Sequence, residues 1–147
     1  MIKVTQVRTA SQMRRFVQFP LVLYKNCPHY VPAIYADERN ILNPAKNPNL
    51  VDCEVRCYLA YKDGKVAGRI AAIEQKAYNT LSGRKCLRFS RFDCIDDREV
   101  AAALFAAVEA FGREKGLDTL HGPWGFDDMD REGMLTEGFD RRATYAT

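Results

Sequence analysis

Apolar and polar positions along the 147-residue chain alternate in two periods, and each period marks its own elements. Residues 2–8 alternate in steps of two, which predicts a first strand. Thr9 and Gln12 then stand at the spacing of a helix-capping box, followed by Met13, Phe16, Val17, Leu21 and Tyr24 at helical intervals. Pro20 lies inside that pattern, so a kink or a break between two short helices is expected. Pro28 and Pro32 bias the residues before them away from helix, and a second short helix is expected over about 33–42. Residues 43–49 read as a loop by composition.

Two strand-like runs, 58–61 and 66–73, flank Lys62-Asp63-Gly64-Lys65. Asp-Gly supplies the positive φ angles of a two-residue hairpin turn, so these runs pair antiparallel. Residues 79–85 read as a polar connection containing Gly83, and another strand is expected over 86–95. The strongest helix follows. Val100, Leu104, Val108 and Phe111 recur in steps of four, four and three, Asp96 or Asp97 can cap the start, and Gly116 follows as a stop. A short strand is expected at Thr119-Leu120-His121, and then an acidic, glycine-punctuated loop.

Composition adds bounds. Apolar residues make up 47% and charged residues 28%, ordinary values for one globular domain of this length. No apolar run approaches a bilayer span, and Met1 to Thr5 do not resemble a secretory signal, so a cytoplasmic location and no membrane partner are expected. Five cysteines form neither a disulfide framework nor a zinc spacing, and His29 and His121 stand apart, so no metal is expected.

The net charge of +3 is uneven, at +9 over residues 1–95 and −6 over 96–147. Arg84, Lys85, Arg88 and Arg91 cluster around one predicted strand, for which a solvated face is the first expectation and an anionic ligand the second. No nucleic-acid module accompanies the charge.

The element order and three local runs carry a resemblance. Phe16-x-x-Phe19-Pro20-x-x-Leu23-Tyr24-Lys25 with Tyr30-Val31-Pro32, the stretch Leu59 to Ile73, and His121-Gly122-Pro123 through Gly133-Met134-Leu135 to Asp140 resemble an uncharacterised bacterial family with GNAT-type acyl-CoA N-acyltransferase architecture. The resemblance implies an α/β (α+β) fold, a mixed, mostly antiparallel sheet flanked by helices. It implies one domain over 1–147 that lacks the last helix and strands, as a truncated form of a longer protein, with a short natural paralogue as the alternative. An open sheet edge would then favour self-association.

In GNAT enzymes the strand before the long helix binds the pantetheine arm, and a glycine-rich turn presents free N–H groups to the pyrophosphate. That places acyl-CoA contacts at Phe92, Cys94, Ile95, Arg98 and Val100. The turn Ile95-Asp96-Asp97-Arg98-Glu99-Val100 has no glycine and three carboxylates, which suit a helix cap better than a phosphate cradle. Asp93 and Glu74, on predicted strands, are the candidate catalytic bases for an amine acceptor, small molecule or protein, with an arginine salt bridge as their other fate. Tyr145 stands too near the terminus to nominate as the acid. Cys94 has no His or Asp at a spacing that would make it a nucleophile. Trp124 and Phe126 are the candidate substrate-cleft residues. Two functions follow: an acetyl-CoA- or other acyl-CoA-dependent N-acyltransferase with a degenerate cofactor turn, or a non-catalytic ligand-binding or interaction module on the same scaffold.

Overall fold

The computed structural model describes residues 1–142. Five strands form one sheet in the order β1 (Ile2–Gln6), β2 (Cys53–Lys62), β3 (Lys65–Gln75), β4 (Cys86–Cys94) and β5 (Thr119–His121). All neighbours are antiparallel except β4 and β5, which run parallel. The helices are α1 (Ala10–Leu23), α2 (Tyr35–Ile41), α3 (Lys76–Ser82) and α4 (Arg98–Glu114), with a 3-10 turn at Pro48–Val51. None is long and apolar enough to cross a membrane.

Strand alternation sorts the core to two faces. Tyr58 and Ala60 of β2, Ile70 and Ala72 of β3 and Leu87 and Phe89 of β4 meet Val100, Leu104, Val108 and Phe111 of α4. The intervening Cys57, Leu59 and Ala71 meet Phe16 and Val17 of α1 on the other face. The hairpin between β2 and β3 turns at Asp63 (φ 51°) and Gly64 (φ 79°), as the Asp-Gly pair requires.

Three expectations are corrected. First, of the kink or break expected at Pro20, the break is absent, and α1 runs unbroken through it. A proline leaves the carbonyl four residues earlier without its N–H partner, and here the Phe16 carbonyl accepts instead from Arg69 Nη1 at 2.9 Å. Second, α3 runs into the stretch read as a polar connection and takes up its first residues, Asn79 to Ser82. It is held by Asn79, whose side chain donates to the Cys86 carbonyl (2.9 Å) and accepts from the Cys86 amide (3.2 Å), and it ends on Gly83 at φ 66°. Third, Arg88 and Arg91 are not a solvated face, for they are only 3% and 7% exposed.

Strand β4 is irregular where it matters most. Between the pairs Arg69–Asp93 and Ala71–Ser90 it carries one extra residue, and Arg91 there adopts φ 52°. On its other edge β4 pairs with β5 only through Cys86, Leu87 and Arg88. One further link follows, from the Trp124 amide to the Phe89 carbonyl at 2.8 Å. A Cβ at Gly122 would run into that same carbonyl, so glycine is what allows the loop to approach.

Candidate active site

Beyond Phe89, β4 continues to Cys94 while the chain after β5 turns away, which leaves a wedge between them. Phe92 borders it, partly buried against Phe105 of α4 with ring centres 4.9 Å apart, and Phe105 also meets Phe89 edge-on at 5.1 Å. Cys94 and Ile95 are half-buried against the same core, and the Ile95 amide donates to the Ala67 carbonyl at 2.9 Å. Burial and the carboxylates of Asp93, Asp97 and Asp96 hold the Cys94 thiol above its ordinary pKa, so it stays protonated near neutrality.

The start of α4 is occupied from within the chain. Asp97 is the N-cap, and its Oδ1 accepts from the amides of Glu99 (2.9 Å) and Val100 (3.3 Å). Its Oδ2 pairs with Lys62 from the end of β2. The hydrogen bond from Lys62, helped by those two amides, holds the Asp97 carboxyl below the usual range. Arg98 is exposed, whereas the Val100 side chain is fully buried in the core. Among the residues expected to contact acyl-CoA, Phe92, Cys94 and Ile95 therefore pack side by side against the α4 core. Val100 offers only an amide, which Asp97 already engages.

Asp93 lies at the far end of β4, on the α1 face of the sheet. Its Oδ2 accepts from Arg69 Nε and its Oδ1 from the Tyr24 hydroxyl, each at 2.8 Å. Tyr24 closes α1 and stacks on Tyr30, with centroids 4.8 Å apart. Burial first, then the Asp93 charge, raises the Tyr24 phenol far above its ordinary pKa, so it acts as a hydrogen-bond donor. Glu74 is elsewhere. It lies five residues from Arg69 along β3, hence on the opposite face and ~17 Å along the strand. It faces Glu54 across the sheet and stands 3.5 Å from Lys115 Nζ.

Trp124 and Phe126 do not share a cleft. Trp124 borders an open recess of about 620 Å³ with His121, Pro123 and Glu132, and the Arg88 guanidinium stacks 3.4 Å from its ring. Phe126 is buried and borders a groove of about 320 Å³ with Asn40, Lys46 and Met129. Arg91 ties the walls of that groove together, with Nε donating to Glu38 of α2 at 3.1 Å and Nη2 to Asp130 of the loop at 2.9 Å. Tyr145 lies outside the described residues.

Tyr24, Arg69 and Arg91 were not singled out as site residues from sequence. A signal was present for Arg69: it is the lone charge inside the apolar run Val66 to Ile73, and a buried charge needs a partner. Nothing local marked Tyr24 as the second partner, because it lies 69 positions from Asp93. Among the described residues there is no group of three or more His, Cys, Asp or Glu arranged to hold a metal.

No family model matches the chain. It is 34% identical over 130 residues to Protein YghO of Escherichia coli (strain K12), covering 88% of this chain and 33% of that protein. It is 30% identical over 140 residues to the bacterial ceramide synthase of Caulobacter vibrioides, covering 95% and 36% respectively. The chain thus spans about a third of the length of these curated relatives.

Among solved structures it superposes on a tandem GNAT protein from the clavulanic acid biosynthesis pathway with a TM-score of 0.56 at 15% identity, covering 78% of this chain and 34% of the other. For FeeM, an N-acyl amino acid synthase from uncultured soil microbes, the TM-score is 0.55 at 14% identity, covering 84% and 72%. A GNAT-family acetyltransferase of Staphylococcus aureus gives 0.55 at 15%, covering 82% and 73%. The five-stranded mixed sheet with helices on its two faces is a GNAT-like fold, and that is the fold of this chain.

Proposed function

We propose that residues 1–147 form one N-acyltransferase domain of GNAT type that takes an acyl-CoA as donor and an amine as acceptor, in the cytoplasm. The observation that carries this reading is the opened strand: β4 leaves β5 after Phe89 and carries a carboxylate near its end, Asp93, fixed by Arg69 and Tyr24. The exposed edge of β4 supplies a backbone track for the pantetheine arm. Asp93 receives the ammonium of the acceptor and takes its proton. Each of its oxygens accepts one hydrogen bond from the protein and keeps a second lone-pair direction for substrate. The names of two similar proteins, a ceramide synthase and an N-acyl amino acid synthase, describe the making of amides on amines, and both support amine acylation as the reaction class.

The pyrophosphate turn is degenerate in this reading. A diphosphate at α4 would compete with Asp97 for the amides of Glu99 and Val100, and would meet the charges of Asp96 and Glu99 as well. Donor affinity then rests on the strand edge and the acyl chain. The same Asp97 cap favours the second reading, a non-catalytic binding module that keeps the scaffold.

Calorimetric titration of acetyl-CoA, a long-chain acyl-CoA and desulfo-CoA tests both readings. The acyl-transfer reading expects binding by the native chain that strengthens in the Asp96→Gly, Asp97→Gly double variant. Unchanged affinity in that variant would remove the acidic turn as the obstacle. No binding by either protein leaves the interaction module standing.

A further inference from the structure

Helix α1 turns Phe16, Val17, Phe19 and Pro20 inward, all of them buried. Its exposed positions Arg14, Arg15, Gln18, Leu21 and Val22 fall at steps of three, four and seven, so they share a face about a third of the circumference wide. Lys25 continues that face in the turn after the helix, also exposed. Leu21 and Val22 are 39% and 67% exposed, and Ile34, at the start of the adjoining α2, is 52% exposed. Arg14, Arg15 and Lys25 take part in none of the ion pairs among the described residues. The α1 face carries no carboxylate, and on α2 the exposed Asp37 is balanced by the exposed Arg39.

We infer that this face is a peripheral docking surface for an anionic lipid bilayer. Two aliphatic side chains sharing a helix face with basic ones, and a third exposed at the start of the adjoining helix, match what a bilayer interface selects. The aliphatic groups enter the boundary between headgroups and acyl chains, while Lys and Arg reach back to the phosphates. A protein partner fits less well. Three side chains fall far short of the roughly 800 Å² per partner that a stable interface buries, and the centres of such interfaces are poor in charge. The expectation of no membrane partner rested on the lack of a spanning segment, which does not bear on surface docking.

Docking here has a geometric consequence. Helix α1 runs into Tyr24, whose hydroxyl donates to Asp93 on the sheet side, so the bilayer would lie across the helix from the carboxylate. This assignment goes beyond amine acylation and rests on the α1 face alone.

Co-sedimentation of the full chain with phosphatidylcholine vesicles, with and without about one-third phosphatidylglycerol, tests it. Binding to the anionic vesicles is expected, weakening as salt rises to physiological strength. Val22→Glu, and separately the pair Arg14→Glu with Arg15→Glu, should each reduce that binding by about tenfold or more. Circular dichroism should show native folding in both variants, since all three positions are exposed. Absence of binding to anionic vesicles at low salt, or binding unmoved by either variant, would overturn the assignment. So would a dimer that Val22→Glu dissolves in a chain that ignores vesicles. Vesicle binding without any acyl-CoA binding in solution keeps the docking surface and sinks only the acyl-transfer reading.

Discussion

At the residue scale, Arg69 links three otherwise separate features. Pro20 deprives the Phe16 carbonyl of its helical donor, and Phe16 is fully buried, so water cannot replace it. Arg69 Nη1 fills that place while its Nε neutralises Asp93, and its guanidinium lies 5.2 Å from the centre of the Phe16 ring. Replacing Arg69 by Met should therefore leave a buried carbonyl and a partly buried carboxylate without partners, at a cost of about 3 kcal/mol or more. In a Pro20→Ala background the restored N–H serves the carbonyl, so the same replacement should cost about 1 kcal/mol less. Urea unfolding of the four proteins measures the difference. Equal costs in both backgrounds would show that Arg69 acts only through Asp93.

At the element scale, α4 is clamped to β2 at both ends. Asp97 and Lys62 join its N-terminus to the hairpin end of β2. At the other end, Glu114 pairs with Arg56 at 2.7 Å and Lys115 with Glu54 at 2.7 Å, and Arg56 also lies 3.9 Å from the centre of the Phe111 ring. A hydrogen bond from Lys115 lowers the Glu54 pKa, one from Arg56 lowers that of Glu114, and one from Lys62 lowers that of Asp97. All three are depressed in the folded chain, so each contributes stability above the unfolded carboxylate pKa, about 4, and loses it as pH falls through the folded value. The melting temperature should accordingly fall on acidification below about pH 5. Asp97→Asn keeps an oxygen that caps the helix but removes the titrating charge, so its melting temperature should change less between pH 6 and pH 3. An identical pH profile in the variant would place the acid sensitivity outside Asp97, leaving Glu54 and Glu114 as its source among the α4 clamps.

Which elements were legible follows from the same physics. The Asp63-Gly64 turn, the Thr9–Gln12 capping box and the stripe of α4 declare themselves through neighbours in sequence, and each formed where expected. Helix α3 did not declare itself. Its residues Lys76 to Ser82 include the poor helix formers Asn79 and Thr80, and what anchors it is a reciprocal pair of bonds to Cys86. The continuity of α1 through Pro20 was equally hidden, because its rescue comes from Arg69, 53 positions away from Phe16.

At the scale of the whole molecule, the wedge beside β4 was legible as a region, and its chemistry was not. Phe92, Asp93 and Cys94 lie at the end of β4 and Ile95 just past it, an order that the position along the chain already implied. The surroundings of Asp93 come from α1 and β3, and the separation of Trp124 from Phe126 is set by Arg88 and Arg91 reaching out of β4. Those two arginines stitch the loop after β5 to the sheet: Arg88 Nη1 donates to the Gly125 carbonyl at 3.2 Å, and Arg91 pairs with Asp130. Asp130 in turn accepts from the Phe126 amide at 3.2 Å, so one carboxylate fixes both ends of the turn. Trp124, the single tryptophan of the chain, reports on this loop, whereas far-UV circular dichroism reports on the sheet and helices. If the stitches make the loop part of one cooperative unit, the two signals should show the same denaturation midpoint in the native chain. Asp130→Ala removes the acceptor from both Arg91 and Phe126, leaving the buried Arg91 with Glu38 and the Ser90 hydroxyl. The tryptophan transition should then precede the dichroism transition, because local opening of the loop no longer requires global unfolding. Coincident transitions in Asp130→Ala would mean that Arg88 and the Trp124–Phe89 link hold the loop without Arg91.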